Sequence, residues 1–185
     1  MTEAMGAFVL ILVAAAMGSK AVGPLSPGLG PYIAAQMLGA MAGAVLVWLN
    51  FLPHWGVTPD GETKLACFST SPAIDSRGAN ILTEAMGAFV LILVAAAMGS
   101  KAVGTLSPGL GPYLVGMLVW AIGLSLGGTT GYAINPARDL GPRIMHAILP
   151  IPQKSANNWG YAAVPVIGPI VGGAVAGLLA KTIGF

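Results

Sequence analysis

Five apolar runs, Ala4 to Met17, Ile33 to Leu52, Ala85 to Met98, Tyr113 to about Thr129 and Ala162 to Leu179, contain no charged side chain. A bilayer core offers a backbone no water to bond, so segments like these are viable there as spanning helices, whose hydrogen bonds close internally. Soluble domains are about 25% charged, whereas this chain is 8% charged and 56% hydrophobic with a mean hydropathy of +0.82. The expectation is an all-α membrane protein with about five transmembrane helices. The first run is short for a span unless Thr2 and Ala21-Val22 are included. Small residues recur four apart at Gly39 and Gly43, Gly123 and Gly127, Gly127 and Gly131, Gly168 and Gly172, and Gly173 and Gly177. This spacing predicts tight helix packing. Trp48, Trp55, Trp120 and Trp159 fall near the ends of the runs and read as interfacial aromatics.

A repeat complicates the topology. Thr2 to Tyr32 and Thr83 to Tyr113 match at 30 of 31 positions, differing only at Pro24 against Thr105. Structural repeats inherited from an ancient duplication drift much further, so a recent duplication or a rearrangement accounts for it better than a tandem array does. Residues 1–32 are therefore a duplicated helix-and-loop segment of uncertain placement, and 33–185 the membrane domain. The start, Met1-Thr2-Glu3-Ala4, is acidic where a cleavable leader would be basic, so the first run reads as a retained span. Gly18 to Tyr32 and Gly99 to Tyr113 are short Gly/Pro/Ser-rich connections carrying Lys20 and Lys101. The positive-inside rule puts these lysines and Lys181 in the cytoplasm, and the polar stretch from Pro53 to Asn80 outside. Arg143 and Lys154 then fall on the outer side, against the rule. Asp60, Glu62, Lys64, Asp75 and Arg77 read as a solvated loop.

The polar chemistry is concentrated in Gly131-Tyr132-Ala133-Ile134-Asn135-Pro136-Ala137-Arg138-Asp139-Leu140-Gly141-Pro142-Arg143. Asn135 is a favoured N-cap and Pro136 suits a first helical residue, so a helix is expected from Pro136 to about Ile148, ended by Pro150. At ~1.5 Å per residue it is roughly 20 Å long against a hydrocarbon core of ~30 Å, which reads as a re-entrant half-helix. Its N-terminal N–H groups and positive dipole end would face Asn135. Ionisable groups at membrane depth normally face a cavity or a partner. Arg138 and Asp139 either pair with each other to lock the loop, or Arg138 projects donors into a pore and forms a constriction with Tyr132. An aromatic face beside a guanidinium suits a solute with a carbon skeleton on one side and hydroxyls on the other. The Asn135 amide would donate to passing oxygens while the dipole end repels cations.

Other functions find little support. The net charge of +2 comes from scattered lysines and arginines, which argues against nucleic acid. Cys67 is alone and has no companion ligands, so neither a disulfide nor a metal site is expected. His54 beside Trp55 reads as interfacial and His146 as packing near an outer vestibule. With no nucleophile and base arrangement and no phosphate loop, neither an enzyme nor a cofactor is expected. A coupled transporter would need ion-binding groups in the spans, which hold too few.

The stretch from Gly131 to Arg143 resembles the second signature loop of the aquaporin (major intrinsic protein) family, in which two Asn-Pro-Ala half-helices meet at the membrane centre. Several residues resemble its glycerol-conducting branch, the glycerol uptake facilitators: Asp139 after the filter arginine, Arg143 four positions later, and Pro165-Val166 where water channels tend to carry two aromatics. Gly123 stands where water channels narrow the filter with histidine, and Tyr132 matches the aromatic filter position. The resemblance implies an incomplete aquaporin-like helical bundle in a bacterial-type plasma membrane. It implies pore-lining roles for Gly123, Tyr132, Asn135, Pro136, Ala137 and Arg138. It also implies passage of glycerol, other small neutral solutes and water, and homo-oligomers, as tetramers. Glu84 would be the buried glutamate that braces loop carbonyls, or equally a first-turn charge. The resemblance covers Pro31 to Trp55 and Ile81 to Phe185, and departs from the family in the first quarter, where the first two helices and the first half-helix are absent. Only one Asn-Pro-Ala occurs in the chain. A non-conducting, rearranged relative that acts only as a membrane-embedded or assembling subunit is the alternative.

Overall fold

A computed structural model describes residues 29–185. The run from Ala4 to Met17, the Lys20 connection and most of the N-terminal repeat copy lie outside the described residues. Those described form α1 (Leu29–Asn50), α2 (Leu52–Trp55), α3 (Gly61–Ala66), α4 (Arg77–Met98), α5 (Leu110–Thr130), α6 (Pro136–Ile148) and α7 (Val164–Ile183), with no strand among them. Four stretches are long and apolar enough to cross a membrane: Tyr32–Asn50, Arg77–Met98, Leu110–Thr130 and Val164–Ile183. With 13 residues, α6 is not one of them.

The described residues divide into two compact units, one formed by those up to Ser69 with Ala137–Trp159, the other by Thr70–Pro136 with Gly160–Phe185. In the first unit, Ala44, Trp55, Phe68, Leu149 and Ile151 form a buried cluster, with Trp48, Phe51, Cys67 and Met145 packed against it. Trp55 is thus a core residue rather than an interfacial one, and its indole donates to the Trp48 carbonyl at 2.9 Å. α6 lies close against α1, since a Cβ on Gly141 would stand 2.8 Å from the Ala40 methyl.

The polar stretch after α1 is more than a solvated loop. Asp60 caps α3 by accepting from the Glu62 and Thr63 N–H groups. Its hydrogen bond from the Thr63 hydroxyl, helped by those two N–H groups, holds its carboxyl below the usual range. Lys64 is buried and donates to the Pro152 carbonyl at 2.6 Å, and the Ser155 hydroxyl donates to Gly61 O at 3.1 Å. A buried ammonium needs such acceptors, and this one finds its acceptor 88 residues away along the chain.

In the second unit α4 packs on α7 through glycines. A Cβ on Gly168 would meet the Glu84 Cβ at 2.6 Å, and one on Gly172 would run into the Ala85 carbonyl. Large aliphatics of α7, among them Ile170, Val175 and Leu178, point outward. Small residues inside and large ones outside is how helices associate where lipid is as apolar as leucine. Gly177 has open space instead, so that part of the small-residue pattern makes no close contact among the described residues. Trp120 lies midway along α5 and is 60% exposed, not at a helix end.

α4 begins well before the apolar run that announces it. Its opening turns carry Arg77, Asn80, Thr83 and Glu84. Asn80 Nδ2 donates to Ile74 O at 3.0 Å, and the Thr83 hydroxyl to Ala79 O at 3.1 Å. Polar side chains bonded back to nearby backbone are tolerated there.

Candidate functional site

Within the second unit, α5 ends at Gly131 in the left-handed region (φ 76°). Tyr132 (φ 42°) and Ile134 (φ 46°) follow with positive φ as well. For a β-branched residue this conformation is a genuine outlier, costing of order 1–3 kcal/mol, and it persists only where the surroundings over-determine it. Glu84 does so. One carboxylate oxygen accepts from the Ala133 N–H at 2.9 Å and the other from the Ile134 N–H at 2.6 Å, and both Glu84 and Ala133 are buried. A first-turn charge is therefore not its position, since α4 starts at Arg77. The groups it braces are backbone N–H groups rather than carbonyls.

The same turn lays the Tyr132 ring on α5. A Cβ on Gly123 would stand 2.9 Å from the ring, and one on Gly127 2.8 Å from it. These two glycines seat an aromatic side chain. Gly123→Ala or Gly127→Ala is expected to displace the ring and to destabilise the protein by about 1–3 kcal/mol through overpacking. Gly116→Ala, with nothing within 4 Å of the added Cβ, should be neutral or slightly stabilising in a helix. Thermal melting in detergent separates the two outcomes.

Asn135 and Pro136 end the first of the two stretches that make up this unit, and α6 starts at Pro136 directly after Asn135. Pro165, buried, and Val166, half-buried, belong to the same unit at the start of α7.

Ala137, Arg138, Asp139 and Arg143 belong to the first unit and are all buried. Asp139 pairs with Arg143 one turn on. Arg143 Nε donates to Oδ1 at 2.9 Å and Nη2 to Oδ2 at 3.0 Å, a bidentate arrangement. Arg143 Nη1 also donates to the carbonyls of Asn157 at 2.8 Å and Asn158 at 3.1 Å, and Asn158 itself has positive φ (47°). The Lys154 ammonium donates to the His146, Ala147 and Leu149 carbonyls at 2.7, 2.8 and 2.9 Å, a cation on the C-terminal end of α6 where the helix dipole favours one. Arg143 and Lys154 are thus both held by backbone carbonyls, Arg143 by Asp139 as well.

Sequence reasoning missed Asn157, Lys154 and Lys64 as parts of this network. The spacing of Asp139 and Arg143 was a visible signal for one pair. Nothing local marks the others, whose acceptors are backbone carbonyls set by the fold.

The family model described as "Major intrinsic protein" matches residues 27–180. The chain is 58% identical over 147 residues to the glycerol uptake facilitator protein of Bacillus subtilis (strain 168), covering 80% of this chain and 53% of the relative. It is 56% identical over 142 residues to a probable glycerol uptake facilitator protein of Thermotoga maritima, covering 77% and 59%. The chain thus spans little more than half the length of these relatives. Among solved structures, it is similar to an aquaglyceroporin from Plasmodium falciparum, with a TM-score of 0.66, 23% sequence identity, and 97% of this chain and 72% of that one covered. At that identity the likeness shows the fold alone.

Proposed function

We propose that this chain, which belongs to the major intrinsic protein family, contributes the wall of a passive channel for glycerol and similar small neutral solutes, water included. The braced turn carries the reading. Glu84 holds Ala133 and Ile134 so that Tyr132 lies on Gly123 and Gly127 immediately before Asn135. A fixed aromatic next to an amide donor at a helix start suits a polyol, whose carbon skeleton lies on the ring while its hydroxyls bond the donors. Arg138, three residues further on, would add guanidinium donors, and the positive end of α6 would discourage cations. Asp139, Arg143, Pro165 and Val166 belong to the glycerol-branch pattern and would shape the surroundings of the path, in tetramers as the family implies. As an integral membrane protein with four apolar helices among its described residues, the chain would act in a plasma membrane of bacterial type.

Stopped-flow swelling of proteoliposomes tests this. Glycerol permeability above that of empty vesicles is expected, and Asn135→Asp or Arg138→Ala should lower it; permeability equal to empty vesicles refutes conduction by this chain. A second reading, a non-conducting rearranged relative that acts only as a membrane-embedded or assembling subunit, is favoured by the single Asn-Pro-Ala of this sequence. It predicts no flux alone and co-purification with an intact facilitator.

A further inference from the structure

His146 lies on α6, outside the four spans, and is fully buried. Its ring packs on Phe68 with centroids 5.3 Å apart, and Nδ1 is 2.7 Å from the Asn157 side-chain oxygen. An amide oxygen only accepts, so Nδ1 carries the proton and Nε2 is bare in the neutral ring. Nε2 is buried and has no hydrogen-bond partner among the described residues. Protonation would therefore add an N–H that nothing accepts and a charge at a site where cations stand close. Arg143 faces the ring from its own helix, held by Asp139, and Lys154 from the following loop. α3 brings Glu62 as the opposing charge, while Lys64 on that helix is turned to Pro152. α1 brings no charged side chain.

We propose that neutral His146 is a positioning residue, a latch that joins α6 to the 157–158 segment through Asn157; a protonated ring keeps that bond but must carry its new Nε2–H out to water, so the ring leaves its buried seat and the latch releases. Asn157 is well placed for this, because its side chain binds His146 while its carbonyl binds Arg143. Release would loosen both anchors of the segment together.

Burial holds the imidazole below its ordinary value, with Lys154 and Arg143 acting the same way and the Asn157 bond and Glu62 opposing. The unfolded chain then binds the proton first. The stability this site contributes is present above about pH 6.5 and is lost as the pH falls below it, toward the folded-state value.

The latch stands on geometry alone; its effect on flux rests on the channel reading above. The test is thermal melting of the detergent-solubilised full chain between about pH 7.5 and about pH 5. The wild type should lose on the order of 4 °C per pH unit below about 6.5. His54→Gln, at the exposed histidine, should leave that slope intact, and His146→Gln should remove it. A slope equal in wild type and His146→Gln overturns the proposal. Should His146→Gln not fold, Asn157→Asp decides: a carboxylate facing Nδ1 would hold the imidazolium and bring the folded-state value back toward or past the unfolded one, so the loss just below about pH 6.5 should shrink or vanish, and an unchanged loss overturns the latch. Intact acid-dependent melting with no glycerol flux at either pH refutes the channel reading and leaves the latch standing.

Discussion

Glu84→Ala is expected to unfasten the turn before Asn135 and to cost the protein about 2–6 kcal/mol. Two donors are orphaned and a strained turn is released. The N–H groups of Ala133 and Ile134 lose acceptors at 2.9 and 2.6 Å, and a buried N–H left unpaired costs about 1–3 kcal/mol. Tyr132 and Ile134 are also held at positive φ; without the carboxylate the backbone can relax, and its relaxation moves the Tyr132 ring off Gly123 and Gly127. Glu84→Gln is the informative companion. It keeps size and packing but offers one acceptor and an NH₂ that points a donor at a donor, so it should retain part of the stability and little of the turn geometry. Glu84→Asp, one methylene shorter, should fall between Gln and Ala. Thermal melting gives the stability order, and glycerol-driven swelling of vesicles reports whether the turn matters to flux. Equal flux in wild type and Glu84→Gln would remove the turn from the solute path.

How much of this was legible beforehand depended on where each group finds its partner. α5 and α7 were legible because their runs hold no charged residue before Lys181, and in lipid that pattern has one solution. The opening of α4 was legible only in part: Arg77 and Asn80 fall in the stretch read as loop, and Glu84 reads equally as a first-turn charge until the helix is seen to start at Arg77. Asp139 could be read against Arg138, its neighbour in sequence, or Arg143. Helix geometry favours Arg143, because adjacent side chains diverge by roughly 100° while residues four apart share a face. Gly123 and Gly127 carried the right spacing for a helix contact, but spacing does not distinguish a neighbouring helix from a ring delivered by the turn that follows. Lys64 could not be read at all, because charge in a polar stretch looks solvated until a carbonyl 88 residues on comes within 2.6 Å.

The Arg143 pair is expected to give the other large effect, and it separates stability from function. Arg143 and Asp139 are both fully buried, with the closest N–O distance 2.8 Å. Arg143→Met leaves the Asp139 carboxylate buried without its bidentate partner and frees the Asn157 and Asn158 carbonyls, so a loss of about 3–5 kcal/mol is expected. Arg143→Lys should recover only part of it. An ammonium can satisfy the charge but not the planar fork that reaches a carboxylate and two carbonyls at once. In Asp139→Leu with Arg143→Met no charge is left uncompensated, and replacing a buried pair by apolar groups is often neutral in stability. The double variant should therefore melt well above Arg143→Met, and the difference in a double-mutant cycle is the coupling energy of the pair. Should the double variant fold as well as wild type yet conduct glycerol poorly, the pair would be there to hold the start of α6 and the 157–158 segment in register for the solute, not to hold the protein together. Should it conduct as well as wild type, the pair's role is confined to satisfying its own buried charges.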